Sequence, residues 1–188
     1  MPLPPPDRPP TGVPPVLWTS SPGPDGMWAE LRSTGPGSLV GRPFAPLAFR
    51  DVILDAVIEL RAGDGDTGYG VFLRQVAERS YLAFTLTPDG RSAVFVVDDG
   101  QPQALAEGQL PPDAPFARGT GVANRLTVVA AGPSLTCIVN GFVLVGVIVD
   151  PRYKAGVAGA LLVHAGTAPE AALAVHWAEA RSILPEEA

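Results

Sequence analysis

The residues of this chain that could do chemistry fall into a few groups, each with its own geometric demand. Tyr69, Arg74, Gln75, Tyr81 and Arg91 lie on or beside neighbouring predicted strands. Aromatic rings with planar hydrogen-bonding groups beside them are the equipment for holding a sugar. The plainer reading of the same residues is core packing for the tyrosines and surface ion pairs for the arginines. Asp51, Asp55 and Glu59 recur every fourth residue. At about 3.3 Å per strand residue, neighbours stand ~13 Å apart. Glycoside cleavage needs two carboxyls about 5–5.5 Å or about 6.5–9.5 Å apart, so no pair on this one strand serves. His164 and His176 sit in separate apolar strands. The chain has no HExxH, no GxSxG and no P-loop, so no catalytic residue is expected.

Two further groups are weaker. The loop Gly63-Asp64-Gly65-Asp66-Thr67-Gly68 offers Asp64 and Asp66 as a calcium candidate. It departs from the EF-hand pattern, which wants Glu where Gln75 stands, and Asp with Gly is also what a tight turn requires. Asp98-Asp99-Gly100 takes the same reading more weakly, and no other cofactor or metal site is expected. Cys137 is the single cysteine, so no intrachain disulfide is possible. In Leu135-Thr136-Cys137-Ile138-Val139 it reads as a small buried hydrophobe.

The elements that position these residues are strands. The chain has 188 residues, 46% hydrophobic and only 17% charged, so apolar groups must lie on its surface or be covered. The net charge of −6 argues against nucleic-acid binding, which wants a basic face. No apolar run reaches the length of a membrane helix, and no targeting segment is evident, so a cytoplasmic location is expected. Residues 1–26 form a Pro-rich leader, read as a flexible extended tail or as a docking peptide for an aromatic-lined groove. Trp18 within it could pack back on the domain. Residues 27–184 form the globular part and 185–188 a tail.

Val52, Leu54, Ala56, Ile58 and Leu60 fall on one face and Asp51, Asp55, Glu59 and Arg61 on the other, with Ile53 and Val57 between them, which predicts a half-buried strand. Tyr69–Arg74, Ser80–Thr87 and Arg91–Val97 follow, the last two joined by a Pro88-Asp89-Gly90 turn. Residues 98–120 read as a long loop. From Val122 to Asp150 the pattern is strand, Gly-Pro-Ser turn, strand, Asn140-Gly141 turn, strand. Asn-Gly between apolar runs is the strongest short-range hairpin signal, because both positions of a type I′ turn need φ > 0. Residues 156–164 and 172–177 close the set. Nine or more short strands predict an all-β fold: a two-sheet antiparallel jelly-roll sandwich with a Pro-rich N-terminal extension.

Several of these segments, in order, carry a resemblance: Phe49-Arg50-Asp51-Val52, Gly68 to Gln75, Tyr81 to Phe84, Pro88-Asp89-Gly90, Asn124-Arg125-Leu126, Asn140-Gly141, Asp150 and Gly156 to Gly159. Over residues 45–182 the chain resembles the concanavalin A-like lectin/glucanase (laminin-G-like) superfamily. Within it, the chain is similar to bacterial domain-of-unknown-function 1080-type sandwiches. The resemblance implies binding of glycans or proteins, and in some members glycoside cleavage. Where similar domains end on an aromatic-Asp run, this chain has Trp177-Ala178-Glu179.

The hairpin supplies the last expectation. Both faces of Phe142–Val149 are apolar, and Val143, Val145, Val147 and Val149 fall on one of them, so something should cover that face. The residues therefore point to a non-catalytic binding or assembly module, working through a protein partner or a homo-oligomer. The alternative is a carbohydrate-binding module using Tyr69, Arg74, Gln75, Tyr81 and Arg91, with a glycoside-active enzyme behind it for want of a carboxylate pair.

Overall fold

The structure, a computed structural model, describes residues 16–183. The first part of the Pro-rich leader and the 185–188 tail lie outside the described residues. The described residues form thirteen strands: β1 (Val16–Thr19), β2 (Ala29–Ser33), β3 (Ser38–Pro43), β4 (Val52–Ala62), β5 (Gly68–Ala77), β6 (Ser80–Leu86), β7 (Arg91–Asp98), β8 (Gln101–Gln109), β9 (Ala123–Ala131), β10 (Ser134–Val139), β11 (Phe142–Ile148), β12 (Val157–His164) and β13 (Ala171–Ser182). Among them no helix is long and apolar enough to cross a membrane.

The strands make two antiparallel sheets. One runs β1-β13-β4-β9-β10-β11, with β2 beside β1 along β13; the other runs β3-β12-β5-β6-β7-β8. The core lies between them. Alternation puts Val52, Leu54, Ala56, Ile58 and Leu60 inside, and the register carries the same rows across β9 and β10 through Leu126, Val128, Leu135, Cys137 and Val139. Tyr69, Val71, Leu73, Leu82, Phe84 and Leu86 close the core from the six-stranded sheet. Cys137 is fully buried, and burial pushes its thiol up to about 12, so it is an inert hydrophobe.

Turns follow the expected chemistry. Asn140 and Gly141 have φ 46° and 85°, and they join β10 to β11 directly. Asp99 and Gly100, at φ 47° and 79°, make a second tight hairpin. That hairpin replaces the first part of the expected 98–120 loop with strand β8. The segment Val16–Thr19, expected within the leader, pairs with β13 as β1. Its Trp18 stacks on Phe44 (5.5 Å between centroids) and meets Trp28 edge-on at 5.7 Å.

The valine-rich strand departs from its expected pattern. Cys137 pairs with Val145 but Ile138 pairs with Val143, so Leu144 is an extra, bulged residue. The bulge reverses the alternation. Val145 and Val147 turn inward against the core and Val149 is buried, whereas Val143 faces outward. The four valines do not share one exposed face.

Candidate functional site

The outer face of the six-stranded sheet is built from the rows that alternate with the core rows. Phe72, Ala83, Phe95 and Ala104 form one row across β5–β8, and Tyr81, Val97 and Pro102 form the next. Small residues on β3 and β12 leave room above the sheet for the Phe72 ring. A Cβ at Gly159 would run into that ring, and one at Gly41 would touch it at 3.4 Å. Phe72 and Tyr81 then pack at 5.8 Å with their rings tilted by 59°. Together with Ala83, Val97 and Leu161 they make an apolar layer separate from the core.

A groove crosses this layer. Its first part holds about 620 Å³ and is lined by Tyr81, Phe95, Val97, Leu39 and Val163, with Glu78, Arg79 and Glu107 at its margins. Its second part, about 550 Å³, is lined by Thr85, Thr87, Arg91, Ser92 and Gln109. Both parts share Ala93 and Glu107, so they are continuous along β6–β8. From Tyr81 to Thr87 the strand rises about 20 Å. The groove thus joins an aromatic stretch to a stretch of hydroxyl, amide and guanidinium groups. That combination is what a ligand with apolar faces and a rim of hydroxyls requires.

The sequence candidates fall in different places. Tyr81 and Arg91 line the groove at its two ends. Burial raises the Tyr81 phenol above its ordinary value. Arg91 is held by Asp89 (3.1 Å) and Asp66 (2.8 Å) through Nε and Nη2. Tyr69 points into the core instead. Its hydroxyl accepts from Asn124 at 3.4 Å, and burial pushes the phenol up to about 12. Arg74 is also internal, donating to the carbonyls of Tyr153 (3.0 Å) and Arg50 (3.1 Å). Gln75 donates to the carbonyl of Glu78 at 3.1 Å and closes the β5–β6 turn. The difference has one cause. Tyr69 and Tyr81 sit on strands whose inner and outer rows both contain aromatics, so residue type does not distinguish the faces. Among the groove residues that the sequence did not single out are Phe95, Thr85, Thr87, Glu107 and Gln109. Phe95 could have been found from its alternation with Val94 and Val96; the β8 residues could not, because that segment reads as loop.

Asp64 and Asp66 do not converge on a cation position. Asp64 accepts from the backbone N–H groups of Thr167 (2.6 Å) and Ala168 (2.9 Å), while Asp66 faces Arg91. Among the described residues no three His, Cys, Asp or Glu side chains gather at one point. His164 is buried between the Ser33 hydroxyl (2.9 Å) and the Ala168 carbonyl (2.8 Å), and His176 meets Glu59 at 2.7 Å.

The acids are likewise committed or distant. Asp55 is only 3% exposed and takes a two-pronged bond from Arg125 (3.1 and 2.9 Å) and a third from Thr127. Glu179 lies opposite it on β13 but is paired with Arg181. In the groove, Glu107 is opposite Ala93, whereas Glu78 lies beyond Ser80, past the Asp98 end of β7. Their backbones are on the order of 17 Å apart along the strands.

No protein-family model and no curated protein matches the chain. Solved structures do. It is similar to a carbohydrate-binding module, CBM66 from Bacillus subtilis, at TM-score 0.64 and 14% identity, covering 80% of this chain and 86% of that one. It is also similar to a transglycosylase, Crh5, at TM-score 0.58 and 11% identity, covering 89% and 85%. A third likeness is to the Caenorhabditis elegans galectin LEC-6, at TM-score 0.50 and 18% identity, covering 79% and 94%. What the chain shares with them is the fold, a two-sheet antiparallel β-sandwich. None of them carries the narrower resemblance to domain-of-unknown-function 1080-type sandwiches.

Proposed function

We propose that this chain is a non-catalytic carbohydrate-binding module that takes a short oligosaccharide along the β6–β8 groove. One observation carries the reading: a single groove joins the Tyr81 and Phe95 rings to Thr85, Thr87, Arg91 and Gln109. The partly exposed Phe95 ring offers flat apolar surface to the C–H face of a sugar ring. Tyr81, only 6% exposed, lies in the floor beside it, and the polar end offers donors and acceptors to hydroxyls. The fold is one that a carbohydrate-binding module and a galectin also use, which supports the reading without assigning it.

The test is a broad glycan array probed with the full chain, followed by calorimetric titration of any hit. Phe95→Ala and Arg91→Ala each weaken binding at least tenfold, a loss of about 1.4 kcal/mol. Thr136→Ala, on the other sheet, leaves binding unchanged. An array without a hit, or groove variants that bind as the parent does, overturns the proposal.

A further inference from the structure

The four edges of the sandwich are not protected alike. On one side, β1 has only four residues and β2 carries Glu30 and Arg32; β3 ends in Arg42-Pro43. On the other side, β8 carries Pro102 and Glu107. Short strands, charges and prolines are the devices that keep an edge from pairing with another chain. β11, the last strand of the seven-stranded sheet, reads Phe-Val-Leu-Val-Gly-Val-Ile, with no charge and no proline. Its one irregularity is the bulge at Leu144. Among the described residues, β10 is its sole backbone partner, so half of its N–H and C=O groups point away from the sheet. Val143 and Ile148 are 60% and 71% exposed on its outward face.

We propose that β11 pairs antiparallel with β11 of a second copy of this chain, joining the two seven-stranded sheets into one. The strand suits its own copy better than a foreign one. A two-fold axis at Gly146 sets Val145 of one copy opposite Val147 of the other, both on the inward face. The next charges on the strand's C-terminal side, Asp150 of each copy, then lie about 27 Å apart, well beyond the ~10 Å screening length. A chain of net charge −6 meets itself there along an uncharged strip. That strip is about 24 Å long on a sandwich roughly 20 Å deep, so both copies together bury on the order of 1,000 Å². This is the lower limit for a specific interface, and it sets a dimer that forms and dissociates with concentration. Because the axis is perpendicular to the sheets, both β6–β8 grooves open on the same side.

The experiment is sedimentation velocity of the full chain from about 1 μM to about 1 mM, the range in which an interface of this size dissociates. The expected result is a concentration-dependent shift from monomer to dimer. A double variant, Val143→Lys with Ile148→Lys, raises the dissociation constant at least a hundredfold and keeps the parent's far-ultraviolet spectrum. Gln101→Lys, on the β8 edge, leaves the dimer intact. A parent that stays monomeric throughout, a dimer that survives the β11 lysines, or one abolished by Gln101→Lys overturns the proposal. None of these readouts depends on a glycan, so this proposal and the binding proposal stand or fall separately.

Discussion

Asp64 shows how a residue with the look of a ligand serves as a clamp. Its carboxylate ties the β4–β5 loop to the β12–β13 turn by accepting from Thr167 and Ala168, and it closes its own loop through Asp66 and Thr67. Those backbone bonds lower its pKa to about 2. A carboxylate whose folded pKa lies below the ordinary value near 3.9 stabilises the fold above that value, and the contribution is lost as pH falls towards 2. Urea midpoints measured between pH 2 and 6 should therefore fall steeply below about pH 4 in the parent. Asp64→Asn should be less stable at neutral pH and flatter across that acid range; an identical acid slope would show that other carboxylates set it. Arg74 has a similar role at the opposite end. It is 1% exposed with φ at 52°, and its bonds to Tyr153 and Arg50 hold two loops at the mouth of the sandwich. Its Nε is left without a partner, so part of its desolvation is not offset.

At the scale of elements, the groove depends on how closely β5 and β6 approach. Gly70 sits opposite Thr85, and a Cβ there would run into the backbone carbonyl of Phe84. Backbone cannot swing aside as a side chain does, so Gly70→Ala should displace β6 and cost about 2 kcal/mol. Because β6 carries Tyr81 and Thr85, the glycan affinity proposed for the groove should fall with it, whereas Gly35→Ala, in open space, should alter neither property. Denaturant titration of both variants checks this. The same scale explains what could be read in advance. Alternation in Val52–Leu60 and the Asn140-Gly141 turn are local signals, and the strands they mark are where they were expected. β8 carries no such signal: Gln101-Pro102-Gln103 has neither alternation nor β-propensity, and its neighbour β7 holds it in place. The Leu144 bulge depends on packing across the sandwich, so the faces of the valines could not be read from a period of two. The groove was half legible for the same reason. Tyr81 and Arg91 were identifiable, but their partners on β8 lay in a segment that looked like loop.

The whole molecule closes at an aromatic cluster at the far end of β3 from Leu39. Trp18 of β1, Trp28 beside β2 and Phe44 after β3 pack within 5.5–5.7 Å of one another, and Arg42 lies 5.0 Å above the Trp28 ring. These residues join the β1 and β2 side of one sheet to the β3 edge of the other, where no strand pairing crosses. Ser20 adds to the tie, exchanging backbone and hydroxyl bonds with Ala178 on β13. The fold therefore includes Val16–Ser20, and a boundary at Met27 cuts through the sandwich. A chain beginning at Val16 keeps the cluster; a chain beginning at Met27 loses β1 and both Trp18 contacts. Two aromatic pairs contribute about 2 kcal/mol beyond their burial. For a domain of this size that corresponds to a melting temperature lower by about 6 °C. Calorimetric scans of the two chains read the difference directly, and equal melting temperatures would place the end of the sandwich after Ser20. A larger drop, with loss of β3 from the six-stranded sheet by hydrogen exchange, would show that the cluster also holds the wall of the groove, since Leu39 of β3 lines it.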